Sequence, residues 1–135
     1  DKVDIKDDGF AIVQISDLHN KEFGKGNKIL INKIINANPD IIVITGDIVD
    51  SSRTDINIAD SLVSELVTIA PVYYVTGNYE VSLNTDDYLM LENKLKTAGV
   101  IILDNDAAAI NERLYILGLN DQSNTNYNGT LANMN

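Results

Sequence analysis

The chain has 135 residues, a hydrophobic fraction of 44% and a formal net charge of −10. This length and composition predict one globular domain with enough apolar residues for a core, and they argue against a chain that is disordered throughout. The acidic charge disfavours nucleic acid binding, and no apolar run reaches the roughly 20 residues of a transmembrane helix. The absence of cysteine excludes disulfides, thiolate metal sites and cysteine nucleophiles.

The first half of the chain alternates between strand and helix patterns. Residues 10–15 are a short apolar, β-branched run, which predicts a buried strand. Residues 28–36 carry apolar side chains at helical spacing, and Pro39 ends this predicted helix. Residues 41–45 are apolar almost throughout, which is typical of a strand that is covered on both faces.

The same alternation continues to residue 119. A second helix is predicted over 58–69, a third strand over 72–76 and a third helix over 85–98. Further strands are predicted at 100–103 and 114–119, with a short one at 107–110, and the polar residues from 120 onward are predicted to be loop or frayed end. Strands that alternate with helices predict an α/β fold with a mostly parallel sheet and flanking helices.

Polar residues follow three of the predicted strands. Asp17 follows the first strand, Asp47 the second and Asn78 the third. Because the carboxyl ends of parallel strands form one edge of a sheet, we expect these residues to lie close together. Together with His19 they offer two carboxylates, an imidazole and an amide oxygen, which suit a divalent ion such as Mn, Fe or Zn.

Asp47 has two oxygens and can therefore bridge two ions. Two ions about 3.5–4 Å apart can activate a water molecule and hold a phosphoryl oxygen during in-line displacement. This chemistry requires the three strand ends to act as one site. The pattern therefore favours a two-metal centre as the use of these residues.

Each of these residues also has a simpler explanation when it is considered alone. An Asp-x-His segment is often a loop turn, and an aspartate such as Asp47 after a strand is often a helix N-cap. Asn78 after Gly77 is typical of a left-handed turn, and Asp50 is explained as a cap of the segment that follows it. The occurrence of three such strand ends in order favours a metal site over these separate explanations.

The motifs around these residues resemble those of the calcineurin-like metallophosphoesterases. Residues 17–19 (Asp-Leu-His), 46–50 (Gly-Asp-Ile-Val-Asp) and 77–80 (Gly-Asn-Tyr-Glu) are similar to the family patterns D-x-H, G-D-x-x-D and G-N-H-[DE]. The resemblance extends from about residue 10 to residue 121. The longer sequence stretches around the motifs are similar to those of a bacterial branch whose members are often exported or membrane-anchored.

The resemblance implies a fold, a reaction and a set of roles. The family fold is a four-layer α/β/β/α sandwich, and the family reaction is hydrolysis of a phosphate ester without a covalent intermediate. By this resemblance Asp17 and His19 bind the first of two divalent ions, Asp47 bridges the two, and Asn78 binds the second. The implied partner is a phosphate-ester substrate.

Two features of the sequence depart from the family pattern. Tyr79 occupies the position of the family's catalytic histidine, which donates a proton or a hydrogen bond to the ester. A phenol can donate a hydrogen bond but has no cationic form, so we expect lower turnover with metal binding retained. The chain also has a single histidine, whereas the family takes further ligands from a downstream Gly-His-x-His segment.

The missing ligands lead to an expectation about the extent of the domain. We expect residues 1–135 to be a single metallophosphoesterase domain that is truncated at its C-terminus and lacks the second sheet. The sheet face left exposed would then support a homodimer. For the full-length protein, export or membrane anchoring is a prediction from the resemblance alone.

Two hypotheses for the function stay open. The first is a metal-dependent phosphoesterase of which this chain holds part of the site, and the three motifs favour it. The second is a non-catalytic metal-binding module or pseudoenzyme that acts by association, and Tyr79 and the single histidine favour it. A Rossmann-like nucleotide-binding domain is disfavoured because no Gly-x-Gly-x-x-Gly or phosphate-loop motif follows a strand.

Overall fold

A computed structural model describes residues 9–121 of the chain. All the strands and helices predicted above are present, with ends that differ from the predicted ones by at most three residues. The predicted loop that begins at residue 120 lies almost entirely outside the described residues. The elements are β1 (Ile12–Ile15), a 3-10 turn (Lys25–Asn27), α1 (Lys28–Ala37), β2 (Ile41–Thr45), α2 (Ile56–Leu66), β3 (Val72–Val75), α3 (Asn78–Val81), α4 (Thr85–Ala98), β4 (Ile101–Ile102), β5 (Asp106–Ala109) and β6 (Tyr115–Gly118).

The first four strands form one parallel sheet in the order β1-β2-β3-β4. In the register of this sheet Ile12 pairs with Ile41, and Ile42 pairs with Val72. The predicted α/β class with a parallel sheet and flanking helices is therefore confirmed. Because the strands are parallel, the loops after β1, β2 and β3 all leave from the same edge of the sheet.

Two of the helices, α2 and α4, begin at residues whose side chains cap them. Asp55 accepts a hydrogen bond from Asn57 N at 3.0 Å at the start of α2, and Asn84 accepts one from Asp87 N at 3.0 Å at the start of α4. Gly99, with φ of 99°, ends α4 in the left-handed conformation that favours glycine. None of the helices in the described part of the chain is long and apolar enough to cross a membrane.

The sheet separates two clusters of apolar side chains. Ile42 and Ile44 of β2 point into the larger cluster, which contains the buried faces of α1, α2 and α4. Ile41 and Val43 of the same strand point into a smaller cluster on the opposite face. Side chains of a strand alternate between faces, so this continuous apolar run is covered on both sides, as the sequence predicts.

The last two strands form a separate antiparallel hairpin rather than part of the parallel sheet. Ile116 of β6 and Ala108 of β5 pack against Tyr73 and Leu103 in the smaller cluster. These two strands form a second, antiparallel sheet that covers part of that face, and the truncation of the domain stays a prediction. The sequence predicted both strands, but their separate pairing follows from contacts across the sheet face rather than from local pattern.

Candidate metal centre

The loops after β1 and β2 are joined by backbone hydrogen bonds at the carboxyl edge of the sheet. His19 N donates to Asp47 O at 3.0 Å, and Asn20 N donates to Ile48 O at 3.1 Å. The Asn20 side chain continues this connection, because its Oδ1 accepts from Asp50 N at 2.8 Å. These bonds fix the position of His19 relative to Asp47. No pattern in the sequence indicated the supporting role of Asn20.

Three of the four predicted ligands come together in space. One potential ligand atom from each of Asp17, His19 and Asp47 lies within 4.8 Å of the other two. His19 Nε2 is 3.9 Å from Asp17 Oδ1. Asn78, the fourth predicted ligand, is exposed at the start of α3 and lines the same cavity of about 460 Å³ as Asp47. The predicted convergence at one sheet edge is thus present for Asp17, His19 and Asp47.

The donor set and its environment fit a divalent cation. Two carboxylates and an imidazole are a common ligand set for Mn, Fe and Zn. His19 Nδ1 is buried, and no group within residues 9–121 hydrogen-bonds to it. A buried polar atom without a partner is unfavourable, so this histidine has coordination capacity that the described protein atoms do not use. These residues therefore form a candidate metal site.

The cluster residues have an unusual backbone conformation that the sequence did not predict. Asp17, His19 and Asp47 have φ angles of 57°, 49° and 55°. These lie in the left-handed region, which residues other than glycine adopt at a cost of order 1–3 kcal/mol each. The loop-to-loop hydrogen bonds offset this cost. Strain of this kind is concentrated at functional sites, which agrees with a ligand role for the three residues.

Two glycines allow the loops after β2 and β3 to touch. A Cβ atom on Gly46 would lie 2.5 Å from Gly77 Cα, and a Cβ on Gly77 would lie 2.7 Å from Asp47 N and collide with Asp47 Oδ1. Gly46 also has a φ of 82°, whereas Gly77 is extended with φ of −93°. Gly77 is therefore required because the two backbones approach closely. Gly46 is required for the same reason and also because of its positive φ.

Tyr79, the predicted catalytic position, contacts the cluster with its backbone and with its ring. Its N–H donates to Asp47 Oδ1 at 2.9 Å. Its ring meets the His19 ring edge-on, with centroids 4.3 Å apart and planes at 61°. The structure therefore places this residue directly beside two of the predicted ligands.

The side chain of Asp50, in the same loop as Asp47, makes only local hydrogen bonds among those described. Its Oδ1 accepts from Ser52 N at 2.8 Å and from Ser52 Oγ at 2.6 Å. These bonds, the side-chain bond first, lower the pKa of the Asp50 carboxyl. Asp50 thus accepts from the backbone of the bend that follows it rather than from a helix, and it lies outside the three-residue cluster.

Glu80 is a buried residue of this region to which the sequence analysis gave no role. Its carboxylate accepts hydrogen bonds from the backbone of Asp47 and of Gly77. A glutamate three positions after the residue that precedes a helix is the local signal of a bond from the backbone N–H of that residue. That signal predicts the bond to Gly77, but it carries no information about Asp47, which is 33 residues away.

Comparison with known proteins identifies the class to which this fold and site belong. The sequence profile of the calcineurin-like phosphoesterases matches residues 10–134. The chain therefore belongs to the calcineurin-like phosphoesterase family, as its motifs predict.

Three relatives have names of the same class. The chain is 29% identical over 124 residues to a Bacillus subtilis protein named uncharacterized metallophosphoesterase YkoQ, covering 88% of the chain and 46% of the relative. An uncharacterized metallophosphoesterase of Aquifex aeolicus is 29% identical over 112 residues, covering 82% and 42%. Phosphodiesterase YaeI of Escherichia coli is 31% identical over 119 residues, covering 83% and 44%. The chain thus spans less than half the length of each of these relatives.

Proposed function

We propose that this chain supplies part of the catalytic site of a metal-dependent phosphoesterase that uses two divalent ions. Asp17 and His19 bind the first ion, Asp47 bridges the two ions, and Asn78 binds the second. The observation that supports this most strongly is the convergence of donor atoms from Asp17, His19 and Asp47 within 4.8 Å. Family membership supports phosphate-ester hydrolysis as the use of such a centre.

The contacts of Asp47 are compatible with a bridging role. Its Oδ1 accepts one hydrogen bond, from Tyr79 N, and a carboxylate has about four lone-pair positions in total. This bond orients the carboxylate and leaves lone pairs on both oxygens for cations. When bound, two divalent ions supply a Lewis acid for the phosphoryl oxygen and a lowered pKa for an attacking water.

The overall charge of the chain also argues for cations in the site. A net charge of −10 repels a phosphorylated substrate. Bound divalent cations reverse the local field at the carboxyl edge of the sheet and make a phosphate ester a favourable ligand there. Mn, Fe and Zn all suit the donor set, and we propose Mn as the first ion to test.

The substrate class is proposed to include phosphodiesters as well as monoesters. One relative, from Escherichia coli, is named a phosphodiesterase. Tyr79 lies beside the cluster and offers a phenol that can donate a hydrogen bond to an ester oxygen. A neutral phenol transfers a proton less readily than an imidazolium does, and a good leaving group departs with little or no protonation. Activated aryl esters are therefore the suitable substrates for a first assay.

A second proposal is a non-catalytic metal-binding module or pseudoenzyme that acts by association. Tyr79 in place of the family's histidine and the presence of one histidine in the chain favour it. This proposal keeps the metal site and removes the hydrolysis. The homodimer, and the export or membrane anchoring of the full-length protein, stay predictions that accompany either proposal.

An assay of aryl phosphate monoesters and diesters with added Mn distinguishes the two proposals. It is carried out on this chain, on a full-length version, and on a full-length version with Tyr79→His. The enzyme proposal predicts hydrolysis by the full-length proteins, with the faster rate in the histidine variant. An absence of hydrolysis in every form, with Mn shown to be bound, would leave only the non-catalytic proposal.

A further inference from the structure

The carboxylate of Glu80 is completely enclosed by the protein. Glu80 lies in the one-turn helix α3, two residues after Asn78, and it is 0% exposed. Glutamate is almost never fully buried unless it is paired, because an unsatisfied carboxylate is strongly unfavourable in the interior. The burial of Glu80 therefore has to be explained by the groups that hydrogen-bond to its carboxylate.

Four backbone N–H groups donate to this carboxylate. Oε2 accepts from Asp47 N at 2.7 Å and from Gly77 N at 2.8 Å. Oε1 accepts from Ile48 N at 2.8 Å and from Val49 N at 3.3 Å. A carboxylate has about four lone-pair positions, so these bonds occupy its acceptor capacity. Glu80 is therefore not available as a metal ligand.

The four donors belong to two loops that are distant in sequence. Residues 47–49 follow β2 and lie 31–33 residues before Glu80, whereas Gly77 follows β3 and precedes Asn78. One oxygen, Oε2, holds both Asp47 N and Gly77 N. It thereby fixes the distance between the loop of the proposed bridging ligand and the loop of the ligand proposed for the second ion. It also holds Asp47 in its left-handed conformation, with φ of 55°.

We infer that Glu80 is a positioning residue, which sets the separation of Asp47 and Asn78 without binding metal itself. The metal part of this inference rests on the proposed two-ion function, whereas the coupling of the two loops does not. The chemistry favours a glutamate at this position. A glutamine would present N–H groups to backbone donors, and an aspartate would be one methylene too short to reach all four.

The first test is calorimetric titration with Mn of the wild-type chain and of the variants Glu80→Gln, Glu80→Asp and Asp104→Asn. Asp104 is the matched control because its carboxylate accepts from Thr76 N at 2.8 Å and from the Thr76 hydroxyl, at the end of the same strand. Among the described contacts, the Asp104 carboxylate makes no hydrogen bond to Asp47. We expect Glu80→Gln to weaken Mn binding about 10–100-fold, Glu80→Asp to give an intermediate affinity, and Asp104→Asn to keep the wild-type affinity.

The second test needs no metal. Amide hydrogen exchange, followed by NMR, is measured for residues 47, 48, 49 and 77 in the metal-free wild type and in both Glu80 variants. We expect these loop amides to be protected in the wild type and to exchange rapidly in Glu80→Gln. If that variant does not fold, the wild-type protection and Glu80→Asp carry the test.

The outcomes separate this inference from the proposed function. Wild-type amides at 47 and 77 that exchange as fast as that of exposed Gly26 would overturn it, and so would unchanged Mn affinity in Glu80→Gln. An equal loss of Mn affinity in Asp104→Asn would assign the effect to general destabilisation and would also overturn it. If the wild type binds no Mn, the two-ion function and the metal part of the inference fail together, while amide protection still decides whether Glu80 couples the loops.

Discussion

The ring of Tyr79 packs edge-on against the imidazole of His19, with ring centroids 4.3 Å apart. The backbone N–H of Tyr79 donates to Asp47 Oδ1 at 2.9 Å. One residue thus contacts two of the three side chains in the candidate cluster. Tyr79 therefore contacts the candidate cluster through its ring and its backbone, neither of which involves its phenol hydroxyl.

The ring contact of Tyr79 leads to a prediction about metal affinity. Edge-on aromatic pairs stabilise a structure by about 0.5–1.5 kcal/mol, so Tyr79→Ala should weaken Mn binding by about 2–10-fold. Tyr79→Phe keeps the ring and the backbone N–H and should bind Mn as the wild type does. Calorimetric titration measures both affinities. An equal loss in both variants would show that the phenol, rather than the ring, supports the site.

The contact between Gly77 and Asp47 predicts a steric effect. Gly77→Ala introduces no backbone strain at φ of −93°, but its Cβ would lie 2.7 Å from Asp47 N. We expect the free energy of unfolding to fall by about 1–3 kcal/mol and Mn affinity to fall with it, because Asp47 must move. Urea unfolding and Mn titration measure the two effects.

Gly99→Ala is the matched control for that substitution. Gly99 has a φ of 99° and open space around the added Cβ, so this variant carries backbone strain without any contact with the cluster. It should lose about 1–2 kcal/mol of stability and keep the wild-type Mn affinity. A similar loss of Mn affinity in both variants would mean that Gly77 acts through stability alone.

The hydroxyl of Tyr74 predicts a stabilising substitution. Tyr74 is 3% exposed, and its hydroxyl lies near Thr76 but makes no hydrogen bond of ordinary geometry in the described part of the chain. An unsatisfied buried hydroxyl costs about 1–3 kcal/mol, so Tyr74→Phe should keep or raise the free energy of unfolding at pH 7. Urea unfolding tests this, and a loss of more than about 1 kcal/mol would indicate a partner for the hydroxyl.

The same residue predicts a pH dependence. Burial, followed by the nearby carboxylates of Glu80 and Asp104, raises the pKa of the Tyr74 phenol well above its ordinary value. The unfolded chain releases this proton from about pH 10 upward while the folded chain retains it, so stability falls as pH rises above that value. The stability difference between Tyr74→Phe and the wild type should therefore grow above about pH 10. A difference independent of pH would contradict the raised pKa.

The elements and the site differ in how far the sequence predicts them. The strands at 41–45 and 72–75 and the helix at 85–98 depend on local periodicity and on local stops such as Gly99, so their positions were predicted to within a residue. The convergence of Asp17 and Asp47, with Asn78 lining the same cavity as Asp47, required only the further rule that parallel strands end at one edge.

The remaining features depend on contacts between distant segments. The left-handed conformations of Asp17 and Asp47 and the backbone bonds to Glu80 arise where loops about 30 residues apart meet. The hairpin of β5 and β6 exists as a separate sheet because Ile116 packs across the face of β3. The contacts between these loops and the packing of Ile116 leave no signal in the local residue pattern, so the sequence did not predict them.

The most direct test of the account is calorimetric titration with Mn of the wild type, Asp47→Ala and Asp50→Ala. Both variants remove one negative charge from the same loop, but only Asp47 belongs to the three-residue cluster. We predict weak Mn binding by the wild type and by Asp50→Ala, and none by Asp47→Ala. Wild-type affinity in Asp47→Ala would contradict the account, because it would place the metal site elsewhere.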